Sequence, residues 1–365
     1  MKILTIFEDG RIGGPHKQFF YFFKTLNKLN LDQHFLIMPG YKGKLKFDKK
    51  IKYLKLNLVY LSYFNIFLYI TTFFSDIIKI IKLINKFKID KVYVAGGSSC
   101  IKSVIASIIS RKKFIWHIHD SRTNKVLYIF FSLFKFYAEK IIFVSKKSKN
   151  FYLKNKKFFN YSILPSSVDI EYFQKKCFSN RFKNIILIIA NINPDKNILM
   201  LIDLINYVEK RNKDIKFKLV GKIWKSQQVY FEQIKEKIKE CKIKNISIIK
   251  NSNSVENHLK NSDILLLTSK NESMPLSVCE AMASSKPIIS TDVGDIKYFV
   301  EFDKKRLFAG KVFNQKNFKS MGDCILELYK DKKKLKLMSK NAKKISQEFF
   351  DIFKYKEKLY EFFNA

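Results

Sequence analysis

Arginine is scarce in this chain. Six of its 70 basic residues are Arg (Arg11, Arg111, Arg122, Arg181, Arg211 and Arg306), while the acidic residues number 32 and the formal net charge is +38. Nucleic-acid readers lean on the arginine fork for bidentate contacts to bases and phosphates, so the charge does not indicate a nucleic-acid partner. Glycine (11) and proline (6) are also few, which excludes collagen-like and Pro/Gly low-complexity chains. The five cysteines (Cys100, Cys177, Cys241, Cys279, Cys324) are far apart and form no C-x-x-C pair. They make neither a disulfide framework nor a zinc site, and a reducing compartment suits them. The first run, MKILTIF, meets Glu8 and Asp9 at once, so it is expected to be a buried strand and not a secretory leader. Long apolar runs are absent with one exception, the uncharged Leu56–Ser75, which is interrupted by Asn57, Ser62, Asn65, Thr71, Thr72 and Ser75. A spanning helix wants about 20 predominantly apolar residues. Three readings stay open for this stretch: a spanning helix, an ordinary buried helix or loop, and an aromatic surface dipping into lipid.

What is present is enough for two cores. The chain has 365 residues, 47% of them hydrophobic, which suits two domains. Short apolar runs at Lys2–Phe7, His34–Met38, Lys91–Ala95, Phe114–His119, Lys140–Val144 and Ser162–Pro165 read as strands. Helical patterns at Lys17–Leu29, Asp76–Phe87 and Lys102–Ile109 lie between them. The second half repeats the plan with strands at Asn184–Ala190, Lys216–Val220, Ile246–Ile249, Ile264–Thr268 and Pro287–Thr291. Its helices are expected at Asn197–Lys210, Val229–Lys239 and Pro275–Ser284. Continuous apolar strands separated by helices mean parallel sheets covered on both faces. The fold class is therefore α/β, with two doubly wound, Rossmann-like domains facing across a cleft. The boundary is expected in the polar stretch Asp169–Arg181, giving domains over 1–175 and 176–345 with a C-terminal helix over 346–365 packing back on the first. Ligands of such sheets bind beyond the carboxyl ends of the strands.

Four segments follow strands and carry candidate chemistry. Glu8-Asp9-Gly10-Arg11-Ile12-Gly13-Gly14-Pro15-His16 leads into a helix; its paired glycines Gly13 and Gly14 are either a close backbone approach to an anionic ligand or a plain turn. Trp116-His117-Ile118-His119-Asp120 ends a strand, with His117 and His119 on one side. No third metal ligand is near, which leaves a structural pair or a His119 that hydrogen-bonds a polar substrate. Ala190-Asn191-Ile192-Asn193-Pro194-Asp195-Lys196-Asn197 puts Lys196 at the start of a helix, a natural place for a diphosphate. Ser269–Ala283 carries Glu272 in a polar loop and Glu280 two turns into a helix, which Ser273 is expected to cap with Pro275 in its first turn. Glu280 sits among Val278, Cys279, Ala281, Met282 and Ala283, so it needs a specific hydrogen-bond partner more than a solvated face would.

Glu272 and Glu280 are separated by seven residues in E-S-M-P-L-S-V-C-E-A-M-A, before Lys286-Pro287-Ile288-Ile289-Ser290-Thr291-Asp292-Val293-Gly294. This resembles the E-x7-E donor signature of retaining GT-B glycosyltransferases, glycosyltransferase family 4. Gly13-Gly14, Ile118-His119-Asp120, Val144-Ser145, Leu164–Asp169, Pro194–Asn197 and Leu219-Val220-Gly221 fall into register with the same pattern. Asn191 stands where many members carry Arg, Ser285 where they carry Gly, and Ser166-Ser167 where they carry Asn-Gly.

The resemblance implies a GT-B fold and a sugar transfer with retained configuration, from a UDP- or GDP-sugar to a glycan or lipid-linked acceptor in cell-surface polysaccharide biosynthesis. It implies a catalytic set of His119, Glu272 and Lys196. It also implies a donor set of Gly13, Gly14, Asn191, Lys196, Glu272, Ser273, Met274, Pro275, Leu276 and Glu280, with no metal and no other cofactor. Lys196 would neutralise the diphosphate, Glu280 bind ribose hydroxyls and Glu272 meet sugar hydroxyls. Two further readings stay open: a GT-B-fold UDP-sugar 2-epimerase and a non-catalytic GT-B scaffold at the membrane. The lysines flanking Leu56–Ser75 predict an anionic membrane surface as a partner, each contributing about 1 kcal/mol near lipid. The expected location is cytoplasmic, peripheral on the inner face of a bacterial membrane.

Overall fold

The computed structural model describes residues 1–10, 13–24, 33–39, 51–154, 160–177, 181–250, 252, 254–302 and 307–364. Arg11 and Ile12 of the glycine segment, residues 25–29 of the first expected helix, and Lys42, Lys44, Lys46, Lys49 and Lys50 lie outside them. The chain forms two compact units, residues 1–166 with 352–365, and residues 167–351.

The first unit holds β1 (Lys2–Ile6), α1 (Gly14–Lys24), β2 (Gln33–Ile37), β3 (Ile51–Tyr53), α2 (Ile66–Lys86), β4 (Lys91–Ala95) and α3 (Ile101–Ile109). It continues with β5 (Lys113–Ile118), α4 (Lys125–Phe134), β6 (Lys140–Phe143), α5 (Lys146–Leu153) and β7 (Tyr161–Ile163). Its seven strands, among the described residues, form a parallel sheet in the order β3-β2-β1-β4-β5-β6-β7. Alternation along each strand splits the buried side chains between two faces. Leu4, Val92, Trp116 and Ile141 face a core shared with Ile77, Ile80 and Ile84 of α2, Val104 of α3 and Phe131 of α4. Ile3, Tyr93, Ile115 and Ile142 face the other core, closed by Phe19 and Phe20 of α1 and by the last helix of the chain, Ile352–Asn364. Each aliphatic side chain buried in this way contributes roughly 1.5–3 kcal/mol.

The exceptional stretch Leu56–Ser75 divides between a loop, a single 3-10 turn at Tyr63–Asn65 and the first three turns of α2. From Tyr63 to Ser75 only Tyr69 is buried; Tyr63 (90%), Phe64 (80%), Phe67 (79%) and Phe74 (75%) are exposed. Among the described residues no helix is long and apolar enough to cross a membrane, so the spanning reading falls. The reason lies partly in Asp76. Its buried carboxylate takes a 2.7 Å bond from Lys102, which also donates to the Val59 carbonyl at 2.9 Å and lies 4.2 Å from the centre of the Tyr69 ring. This polar pin ties α2 to α3. Lys102 is fully buried, unlike the solvated lysines around it.

The second unit holds α6 (Ile170–Cys177), β8 (Ile185–Ile189), α7 (Ile198–Glu209), β9 (Lys216–Gly221), α8 (Gln228–Glu240), β10 (Ile246–Lys250), α9 (Val255–Lys260) and β11 (Ile264–Leu267). It ends with α10 (Leu276–Ala283), β12 (Ile288–Thr291), α11 (Ile296–Val300), β13 (Glu301–Phe302), β14 (Leu307–Phe308), β15 (Gly310–Phe313), α12 (Phe318–Lys330) and α13 (Lys332–Phe349). Six of these strands, among the described residues, make a parallel sheet in the order β10-β9-β8-β11-β12-β15. The reversal of chain direction through the sheet falls between β8 and β11, where the loops after these two strands leave side by side. The helix after Asp351 is α14 (Ile352–Asn364), part of the first unit.

Candidate functional site

The carboxyl ends of β8 and β11 bring Lys196 and Glu272 together. The Lys196 ammonium donates to Oε1 of Glu272, which also accepts from the Ser269 hydroxyl at 2.9 Å. Both loops are fixed by their own polar atoms. The Asn193 side chain accepts from the Lys196 amide at 3.2 Å and caps the single turn Pro194–Lys196. The Thr268 hydroxyl donates to the Lys196 carbonyl at 3.0 Å, and the Lys270 amide to the Asp195 carbonyl at 2.7 Å. Lys196 therefore ends a short turn, and α7 begins only after Asn197, which takes the left-handed conformation (φ 53°). The expected helix start is corrected by that residue. Gly294, after β12, also has positive φ (56°), and a Cβ there would stand 2.2 Å from the Ser273 carbonyl oxygen. Only glycine lets this loop lie against the backbone that carries Glu272.

Glu280 lies inside α10 and is 2% exposed. The expected cap needs correcting: Ser273 does not cap α10, and Pro275 occupies the N-cap position with extended backbone (φ −70°, ψ 124°). A proline disfavours helical backbone in the residue before it, so the chain stays extended to Pro275 and the helix opens at Leu276. Ser273, Met274 and Leu276 are buried, Pro275 and Asn191 half-buried, and the Asn191 side chain accepts from the Lys222 amide at 3.4 Å.

The first unit gathers its candidates at the corresponding edge of its own sheet. Half-buried His119 follows β5, its ring 4.0 Å from that of His117. Burial lowers the His119 pKa to about 3, so the ring is neutral at physiological pH. Asp120 points to the opposite side, where its carboxylate accepts from the Ser98 amide (3.1 Å) and hydroxyl (3.2 Å) and from the Tyr152 hydroxyl. A Cβ on Gly97 (φ 129°) would meet that carboxylate at 2.4 Å. In the glycine segment, Gly13 donates its amide to His16 Nδ1 at 3.3 Å, while His16 Nε2 lies 3.0 Å from the Asp9 carbonyl. Gly14 opens α1 and is exposed.

Ser269, Asn193, His16, Gly97 and Ser98 were not singled out from the sequence. Gly96-Gly97-Ser98 could have been: it is a second glycine pair directly after a strand. Ser269 and Asn193 carry no such signal, because a serine or asparagine in a loop is ordinary.

Residues 169–345 match the family model for glycosyl transferases group 1. The second unit belongs to the glycosyl transferases group 1. This glycosyltransferase is 24% identical over 313 residues to the capsular polysaccharide biosynthesis glycosyltransferase CapH of Staphylococcus aureus, covering 80% of this chain and 82% of the relative. It is 24% identical over 309 residues to the UDP-Gal:alpha-D-GlcNAc-diphosphoundecaprenol alpha-1,3-galactosyltransferase of Escherichia coli, covering 78% of each. Its fold matches the crystal structure of Anabaena HepE in complex with UDP and glucose with a TM-score of 0.82, 17% identity and all of both chains covered. The GT-B class, with two Rossmann-like parallel-sheet domains, is the class expected from the sequence.

Proposed function

We propose that this glycosyltransferase moves a sugar, with retention of configuration, from a UDP- or GDP-sugar to a glycan or lipid-linked acceptor in cell-surface polysaccharide biosynthesis. The observation that carries the reading is the Lys196–Glu272 pair at the β8/β11 edge, with Glu280 buried in the helix that follows. In this reading Lys196 neutralises the leaving diphosphate, aided by the α10 N-terminus. Glu272 holds sugar hydroxyls and Glu280 holds ribose hydroxyls. His119, a neutral imidazole, hydrogen-bonds the sugar, and the Gly13-Gly14 backbone serves the phosphates and acceptor. Lys196 supplies the cation, so the reaction needs no metal.

The acceptor is assigned to lipid on the strength of α2. In a strand–helix–strand unit the helix starts at the carboxyl edge of the sheet, so exposed Tyr63, Phe64 and Phe67 lie towards the edge that carries His119, with exposed Phe74 about two turns further along α2. Exposed Lys52, Lys55, Lys79, Lys82, Lys86 and Lys88 flank them. Such rings settle at a lipid interface while lysines attract anionic headgroups. The E. coli relative, by its name, uses a diphosphoundecaprenol acceptor, which favours the same class here.

The test is transfer from UDP- and GDP-sugars to a lipid-diphosphate glycan, with product stereochemistry read by NMR. Glu280→Gln and Lys196→Ala should each slow transfer at least about tenfold, or about 1.4 kcal/mol, and EDTA should change nothing. Wild-type rates in both variants would remove the assignment of the donor site.

A further inference from the structure

Behind His119 the first unit buries a chain of polar groups within one of its two cores. His117 is completely buried, and its Nδ1 is hydrogen-bonded to the Tyr93 hydroxyl. Tyr93 on β4 in turn hydrogen-bonds the hydroxyl of Tyr355 on α14. Tyr93 and Tyr355 are 2% and 4% exposed, amid Phe7, Phe19, Ala95, Leu359 and Phe363. Tyr355, Tyr93 and His119 also line one small cavity. In a chain with 36 Phe and 18 Tyr, phenylalanine was available for these two packing places. A buried hydroxyl costs stability unless it is hydrogen-bonded, and these hydroxyls are spent on one another, on His117 and, for Tyr355, on the buried Gln18 side chain.

The arrangement has a consequence for His119. Whichever way the two tyrosine protons point, they fix the tautomer and ring angle of His117. That ring lies 4.0 Å from the His119 ring, tilted by 35°, and an interior packed this closely transmits its position. Both imidazoles are kept neutral by burial, so the ring contact carries no charge repulsion.

We propose that Tyr355 and Tyr93 are positioning residues for transfer, acting through His117 to hold the His119 ring in its working orientation. The last helix of the chain thereby takes part in the reaction without touching substrate. This rests on the reading of His119 as a substrate-contacting group.

The experiment compares wild type with Tyr355→Phe, Tyr93→Phe and His119→Ala. Each tyrosine variant keeps the ring and its packing and loses only the hydroxyl. kcat should fall about tenfold in both, with donor KM close to wild type, and both variants should stay folded with a lowered melting temperature, because a buried partner loses its hydrogen bond. Selective 15N labelling of histidine should show shifted His117 and His119 ring nitrogens in both variants. Wild-type kcat in Tyr355→Phe and Tyr93→Phe, with His119→Ala inactive, would overturn the proposal, as would unmoved ring nitrogens. Full activity in His119→Ala would instead remove the assignment of His119 itself, a failure visible without the tyrosine variants.

Discussion

Glu272→Gln and Lys196→Ala should move the affinity for a free nucleoside diphosphate in opposite directions. The Lys196 ammonium is engaged by the Glu272 carboxylate, the side chains being 24% and 13% exposed. A diphosphate seeking Lys196 therefore competes with Glu272. A hydrogen bond between charged groups contributes about 1.5–3 kcal/mol when well shielded. Partial exposure, and the amide bond that Gln retains, reduce the difference to about 1 kcal/mol. That corresponds to about fivefold tighter binding of the diphosphate by Glu272→Gln. Lys196→Ala removes the cation and should weaken binding at least about tenfold. Calorimetric titration with UDP and with GDP reads both effects, and high salt should shrink them together. Transfer should still fall in Glu272→Gln, because the sugar loses its carboxylate. Weaker diphosphate binding in Glu272→Gln, in step with Lys196→Ala, would refute the competition argument and make the pair a preassembled diphosphate site.

Two further outcomes are expected. Burial raises the Glu8 pKa from 4.5 to about 7, against the 2.7 Å bond it accepts from the Ser103 amide. The native state thus holds this proton more tightly than the unfolded chain does. The stabilisation is full below about pH 4.5 and is lost as pH rises to about 7, about 3 kcal/mol in all. Urea unfolding should show the stability of Glu8→Gln relative to wild type rising by that amount across this window; a constant difference would refute it. For the membrane reading, the protein should co-sediment with anionic vesicles, lose binding at high salt, and lose more when Phe64, Phe67 and Phe74 become Ser. Equal binding to neutral vesicles, or none to either, would end that reading.

Much of this molecule was legible in the order of its residues. The core strands of both sheets lie within a residue or two of their apolar runs, because a strand buried on both faces must be written in consecutive apolar residues. The positions of Glu272 and Lys196 were legible for a similar reason: the edge beyond parallel strands is where polar residues interrupt the apolar pattern, whereas Glu280 stood out as a carboxylate among apolar helix residues. The strands β3, β13, β14 and β15 escaped. Local order could not reveal partners far apart in the chain. Lys196 and Glu272 meet across 76 residues, and Lys102 and Asp76 across 26. Lys102 looks like any other lysine until α2 and α3 pack and close over it. Tyr355 reads as one more aromatic in an amphipathic helix, and only the return of α14 to the first sheet puts its hydroxyl beside Tyr93. Periodicity tells each element which face to bury, while the choice of partner for a polar group is made when distant segments exclude water around it.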